Sequence, residues 1–264
     1  MEDIKFIPCS LCKDKEPLHK LGYYYVYDKD NTIIGIVECD CHKEYKKRKK
    51  TISLLKKSNL NILEEIELFE NYLSHYKGQK SLPTIYKLRN YINNYHKDTP
   101  AYHANLYFYG GSGTQKTYAS KYVGYHLIKK GFSVYYILMQ SLIVLLSPDF
   151  NAENNTVNKL KDFLLSVDLL IIDDSFDKRK VTLYRSGYQL PFLESFLKER
   201  FDIRKKGTIF ISTTYPTNIQ DNGFGDSLQN FVVRNTLAKG TVLTFEDIYE
   251  KEISRIEDLS SIFS

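Results

Sequence analysis

The chain has 264 residues, 42% apolar and 26% charged, with a net charge of +5. At about 150 residues per domain, that is one large domain or one domain with a smaller attachment, and its composition excludes disorder, collagen or coiled coil as the main architecture. No apolar run approaches the roughly 20 residues that a bilayer crossing needs, and the first residues, MEDIKFIPCSLC, lack a basic-then-apolar signal pattern, so a cytoplasmic protein with no membrane partner is expected.

All four cysteines fall in the first 41 residues, as Cys9-x-x-Cys12 and Cys39-x-Cys41. Between them, Gly22–Tyr27 and Thr32–Val37 are β-rich runs around the polar turn Asp28–Asn31, which predicts a hairpin that brings the two pairs together. In a reducing compartment such a cluster is a metal site or a set of free thiols rather than disulfides. Four thiolates suit a tetrahedral structural Zn2+, with His42 an alternative ligand for Cys39 or Cys41. Residues 1–42 are therefore expected to form a small zinc-binding module, because so short a segment buries too little apolar surface to be stable alone.

Residues 43–100 read as a helical connector. Its first part, residues 43–57, holds eight Lys/Arg against one Glu, so the basicity is local and the rest of the chain slightly acidic. That run could track phosphates, face an acidic partner, or form a solvated helical face. Leu60, Leu63, Ile66 and Leu68-Phe69 recur at helical spacing, Pro83 interrupts, and a second helix is predicted over Thr84–Tyr95 before Pro100.

From residue 101 to 264 strands and helices alternate. The predicted series is strand Ala104–Tyr109, loop Gly110–Thr114, helix Lys116–Lys130, strand Ser133–Leu138, a helical region Gln140–Leu146 and a polar gap Ser147–Asn155. Helix Val157–Leu165, strand Asp168–Ile172, helix Leu190–Lys205 and strand Thr208–Ser212 complete it. Alternation of this kind predicts an α/β fold with a parallel sheet between helices, and the wholly apolar Leu169-Leu-Ile-Ile suits a central strand.

Gly110-Gly111-Ser112-Gly113-Thr114-Gln115-Lys116-Thr117 lies between a strand and a helix, and it fits the phosphate-loop pattern except that Gln115 replaces the last glycine. Glycines let successive N–H groups face an anion, the lysine reaches the outer phosphates, and the Thr117 hydroxyl reaches Mg2+. The strand Asp168–Ile172 runs into Asp173 and Asp174. Carboxyl ends of strands are where ligands bind in open α/β sheets, so Asp173 is the expected Mg2+ ligand and Asp174 the group that orients the attacking water.

The order of that loop, DLLIIDD, then TIFISTTYP from Thr208, then DSLQNFVVR ending at Arg234, resembles the AAA+ ATPases of the helicase-loader group over roughly residues 101–245. That group includes DnaC-like and DnaI-like loaders and the IstB-like transposition ATPases. Its phage-encoded members often carry an amino-terminal module with a CxxC and a later C-x-C, as here. The resemblance implies an ATP-dependent helicase loader in DNA replication that binds a replicative helicase and single-stranded DNA and acts as a homo-oligomer. It implies that Thr214 is sensor 1 at the γ-phosphate and that Arg234 is the arginine finger for a neighbouring subunit's ATP. Gln115, Thr214 in place of the usual Asn, Asn230 in place of a first arginine, and an acidic stretch where sensor 2 is expected all point to a slow ATPase. Lys178-Arg179-Lys180 is the candidate DNA contact, since the resemblance puts that loop at a ring's central pore. The alternatives are an IstB-like transposition helper and a nucleotide-binding adaptor with little hydrolysis.

Overall fold

The computed structural model describes residues 6–13, 22–60, 82–147, 155–177 and 191–245. Its chain divides into two compact units, Met1–Lys56 and Lys57–Ser264. Lys178–Lys180 and the apolar positions Leu63 to Phe69 lie outside the described residues.

The first unit holds a short helix Ser10–Lys13, strands β1 (Tyr23–Tyr27) and β2 (Ile33–Glu38), and a helix from Asp40 to Lys57. The two strands pair antiparallel as expected, with Tyr23 opposite Glu38. Their turn closes because the Asp28 carboxylate accepts N–H bonds from Asp30 at 2.9 Å and Thr32 at 2.8 Å, while Asn31 takes the left-handed backbone that Asn tolerates (φ 61°). The long basic helix begins within the cysteine module, and Cys41 lies in its first turn. None of its residues is buried, as expected of a helix so rich in Lys and Arg.

The second unit is built on five parallel strands: β3 (Leu106–Tyr109), β4 (Val134–Leu138), β5 (Leu169–Asp173), β6 (Gly207–Ser212) and β7 (Val242–Thr244). They stand in the order β4-β5-β6-β3-β7, and every neighbouring pair is parallel. Every residue of β5 and β6 is buried, which accounts for the apolar runs Leu169–Ile172 and Ile209–Ile211 at their centres. Helices Lys116–Lys129, Met139–Leu146, Asn155–Ser166 and Pro191–Lys198 connect the strands, the first three within two residues of the span read from the sequence. The predicted helix Leu190–Lys205 is not one regular helix: its second half, Glu199–Ile203, widens into a π-helical turn. The helix Leu82–Asn94 turns Leu88, Tyr91 and Ile92 inward at helical spacing and packs on helix Lys116–Lys129. No described helix is long and apolar enough to cross a membrane.

Two devices hold the amino-terminal edge of the sheet. Gly207 is required at the start of β6, because a Cβ there would stand 2.8 Å from the carbonyl oxygen of Ala104. Before β5, the Asp168 carboxylate accepts bonds from the Tyr102 hydroxyl at 2.5 Å, from Lys206 Nζ at 2.9 Å, and from the Ser133 N–H and hydroxyl at 2.9 and 2.8 Å. Burial pushes that carboxyl's pKa up, but the hydrogen bonds from Tyr102, Ser133 and Lys206 outweigh it and hold it at about 2.

Candidate functional site

The loop after β3 turns into helix Lys116–Lys129 at the carboxyl edge of the sheet, so that helix aims its N-terminal N–H groups and the positive end of its dipole at whatever lies above the loop. Gly113 has a left-handed backbone (φ 83°), and a Cβ on Gly110 would press on the Thr114 hydroxyl at 3.0 Å. Gln115, where glycine was expected, also takes the left-handed conformation (φ 66°, ψ 15°). The loop therefore keeps the glycine-type backbone despite the side chain, at a cost of about 1–2 kcal/mol of local strain.

Lys116 is almost wholly buried and gives its ammonium to the loop itself: to the carbonyl of Gly110 at 2.8 Å, that of Gly111 at 2.5 Å and the Thr114 hydroxyl at 3.1 Å. Burial lowers its pKa, opposed by the charges of Asp173 and Asp174. Residues 112–118 line one wall of a cleft, and Asp173, Asp174, Ser175, Asp177 and Ile211–Thr213 line the other. The predicted loop and acidic residues therefore meet, although 56 positions separate Thr117 from Asp173.

Asp173 ends β5 and is buried. Its Oδ2 accepts the Thr117 hydroxyl at 2.9 Å and the Tyr136 hydroxyl at 2.5 Å, and its Oδ1 accepts the Asp174 N–H at 2.7 Å. A carboxylate and a hydroxyl in contact beside a lysine form a hard-oxygen set suited to Mg2+ bound together with phosphates. Asp174 and Phe176 both have positive φ (51° and 62°), and this strained turn is fastened to β6 by bonds from Ser175 N to Ile211 O at 2.7 Å and from Ser212 Oγ to Ser175 O at 2.5 Å. The turn leaves Asp174 exposed on the cleft wall beside buried Asp173.

At the end of β6, Thr213 lines the cleft and Thr214 does not. The Thr214 hydroxyl is engaged elsewhere, accepting Asn222 Nδ2 at 2.7 Å and lying 3.4 Å from the Phe176 carbonyl to which it donates. Arg234 lies exposed on the helix Asp226–Asn235, its guanidinium 5.6 Å from the Phe231 ring centroid, and is not among the residues lining the cleft.

In the first unit, the four cysteine sulfurs lie within 4.8 Å of one another. Cys9 and Cys39 are 3.5 Å apart, Cys12 and Cys41 3.4 Å, and Cys9 and Cys12 3.8 Å, well beyond disulfide bonding. A tetrahedral zinc with Zn–S bonds of about 2.3 Å requires S···S edges of about 3.8 Å, so the cluster fits such an ion. His42 is not part of it: its Nδ1 lies 2.8 Å from Glu38 Oε1.

Sequence reasoning missed Tyr136, Thr213 and Arg200. Tyr136 is one of two adjacent tyrosines in a strand, and nothing local distinguishes it. Arg200 is fully buried and donates to the carbonyls of Leu164 (2.7 Å), Leu165 (3.3 Å), Val167 (3.0 Å) and Gly207 (2.7 Å) and to Thr208 Oγ1 (3.0 Å). In sequence it looks like any surface arginine of an amphipathic helix.

A phosphate-type loop after a central strand, a buried aspartate ending the next strand but one, and the strand order β4-β5-β6-β3-β7 define a P-loop nucleotide-binding domain of the AAA+ class. The profile of the IstB-like ATP binding proteins matches residues 32–190, more than half of the chain, and the protein belongs to that family. Over 136 residues it is 25% identical to the chromosomal replication initiator protein DnaA of Buchnera aphidicola subsp. Cinara cedri (strain Cc), a match that covers 50% of this chain and 30% of that one. This chain thus accounts for under a third of the length of that curated relative. Among solved structures, a DNA replication initiation factor superposes with a TM-score of 0.50 and 19% identity, covering 72% of this chain and 54% of that one. DnaI superposes with a TM-score of 0.49 and 15% identity, covering 64% of this chain and 84% of that one.

Proposed function

We propose that this protein is an ATP-dependent helicase loader of DNA replication, of phage or mobile-element type, which assembles into a homo-oligomer on ATP or single-stranded DNA. The observation that carries the reading is the separation of Arg234 from its own cleft: an exposed arginine on a helix outside the site serves ATP held by a second subunit. The loop N–H groups and Lys116 hold the phosphates, and Thr117 and Asp173 are the ligands of Mg2+. That ion, when bound, neutralises charge on the transferring phosphoryl group. Asp174 orients the attacking water. The sensor position falls to Thr213 on the cleft wall, and Thr214 supports it through Asn222.

Arg234→Ala is expected to leave ATP affinity near wild type and to lower turnover about 1000-fold, within the 10³–10⁵ range of arginine fingers, only under conditions where the wild type assembles. Turnover measured beside mass by light scattering checks it. Equal loss in monomeric protein would remove the between-subunit role. Loading itself is tested by mixing the protein with the host's replicative helicase and single-stranded DNA, with and without ATP. ATP-dependent delivery of helicase supports the reading, and no binding of the helicase overturns it. The family match favours one alternative, a transposition helper, which would instead bind a transposase on duplex DNA.

The amino-terminal unit, in this reading, is a structural zinc module whose basic helix faces the helicase. Four sulfurs close the tetrahedron and leave no open position for chemistry. Purified, reduced protein is expected to hold about one zinc per chain by elemental analysis. Cys9→Ser combined with Cys12→Ser is expected to lose it while ATP binding persists. Absence of zinc from freshly prepared wild type would argue for free thiols.

A further inference from the structure

We propose that Tyr136 is a positioning residue for Asp173, and that its hydroxyl thereby sets how tightly the ATPase cleft binds its divalent cation. The inference rests on the reading of Thr117 and Asp173 as ligands of Mg2+. It adds a residue from a different strand, one that neither the loop pattern nor the acidic motif contains.

Tyr136 is in β4, paired with Ile171, two residues before Asp173 on the neighbouring strand. Both polar groups of its main chain are engaged: its N–H donates to the Ser58 carbonyl at 2.9 Å, and its carbonyl accepts Asn59 Nδ2 at 3.0 Å. A strand edge fixed in this way cannot shift its register, so the phenol is delivered to one place. That place is Asp173 Oδ2, 2.5 Å from the hydroxyl. The Lys121 ammonium lies 5.4 Å from the centroid of the ring, and its positive charge polarises the phenol toward donating its proton.

The carboxylate thus meets three donors, with Tyr136 and Thr117 on Oδ2 and the Asp174 N–H on Oδ1. A carboxylate offers about four lone-pair sites, so little rotational freedom remains. Thr117 is itself a ligand group, and turning its oxygen toward a cation takes its proton away from Asp173. Tyr136 and the Asp174 N–H are then the two bonds that keep the carboxylate plane fixed. Removing a hydrogen-bond partner from a ligating group costs typically 10–100-fold in metal affinity. Tyr136 contacts neither substrate nor reacting atoms in this role and acts only through Asp173.

The test is Tyr136→Phe in the full chain, which keeps the ring and deletes one hydroxyl. Binding of a fluorescent ATP analogue is followed first in EDTA and then during titration with Mg2+, and a melting curve is recorded for each protein. The expected result is a rise of about tenfold in the Mg2+ concentration at half effect, with affinity in EDTA and melting temperature close to wild type. An unchanged Mg2+ midpoint overturns the proposal. Equal weakening with and without Mg2+, or a collapse of the melting temperature, also overturns it by making the tyrosine a general structural support. Wild type that binds no nucleotide at all would instead remove the nucleotide reading on which the inference stands.

Discussion

Lys116→Ala is expected to weaken ATP binding by at least tenfold, and by as much as about 100-fold. The ammonium is held over the loop by two carbonyls and a hydroxyl, where phosphates bound by the loop N–H groups in the proposed reading would meet it. A charge-assisted bond of this kind is worth about 1.5–3 kcal/mol, and each 1.4 kcal/mol is a factor of ten. Part of the loss comes from the protein alone, because the Gly110 and Gly111 carbonyls give up their common donor and the strained backbone at Gln115 loses a restraint. Calorimetric titration with ATP measures the first effect and a thermal melt the second. Unchanged ATP affinity would remove this loop as the phosphate site.

The largest effect on stability is expected at a residue far from any chemistry. Arg200→Met should destabilise the second unit by about 3–5 kcal/mol, a large share of the 5–15 kcal/mol typical of folded domains. One guanidinium satisfies four carbonyls and a hydroxyl in a region without solvent, gathering the end of helix Asn155–Ser166 and the start of β6 around the π-helical turn. No carboxylate is among these five acceptors. Methionine can fill the volume of the stem but cannot donate, so several buried acceptors lose their partner at about 1–3 kcal/mol each before relaxation. In a unit of this size the midpoint of a thermal melt should fall by roughly 10 °C. Arg200→Lys should recover only part of the loss, because one ammonium cannot reproduce the planar fork. A variant that melts with the wild type would mean that water replaces the arginine.

Sequence reading worked where the information is local. Strand–loop–helix alternation, the glycine loop, the acidic end of β5 and the hairpin turn at Asp28 each depend on residues within a few positions of one another. Periodicity and turn chemistry express such neighbourhoods directly. The pairing of the cysteines was legible for the same reason, since a short hairpin leaves its two ends adjacent. The short strand β7 was not: Val242–Thr244 carries no pattern of its own and exists because β3 offers it an edge and Phe245 packs on Phe108.

The tertiary structure alone decided which residues surround the chemistry. Tyr136 meets Asp173 across 37 positions of sequence, and Arg200 meets Leu164 across 36, and neither partner alters the local pattern of the other. The choice between Thr213 and Thr214 at the cleft is also tertiary, because it depends on Asn222 and the Phe176 carbonyl capturing one hydroxyl and leaving its neighbour on the wall. Gln115 shows both sources at once. Its departure from the loop pattern was plain in the sequence, but that the backbone would keep a glycine's conformation depended on the loop's position between β3 and its helix. Local sequence determines what each segment can become, while the packing of strands from distant segments determines which polar groups must satisfy one another, and the site is made of those pairs.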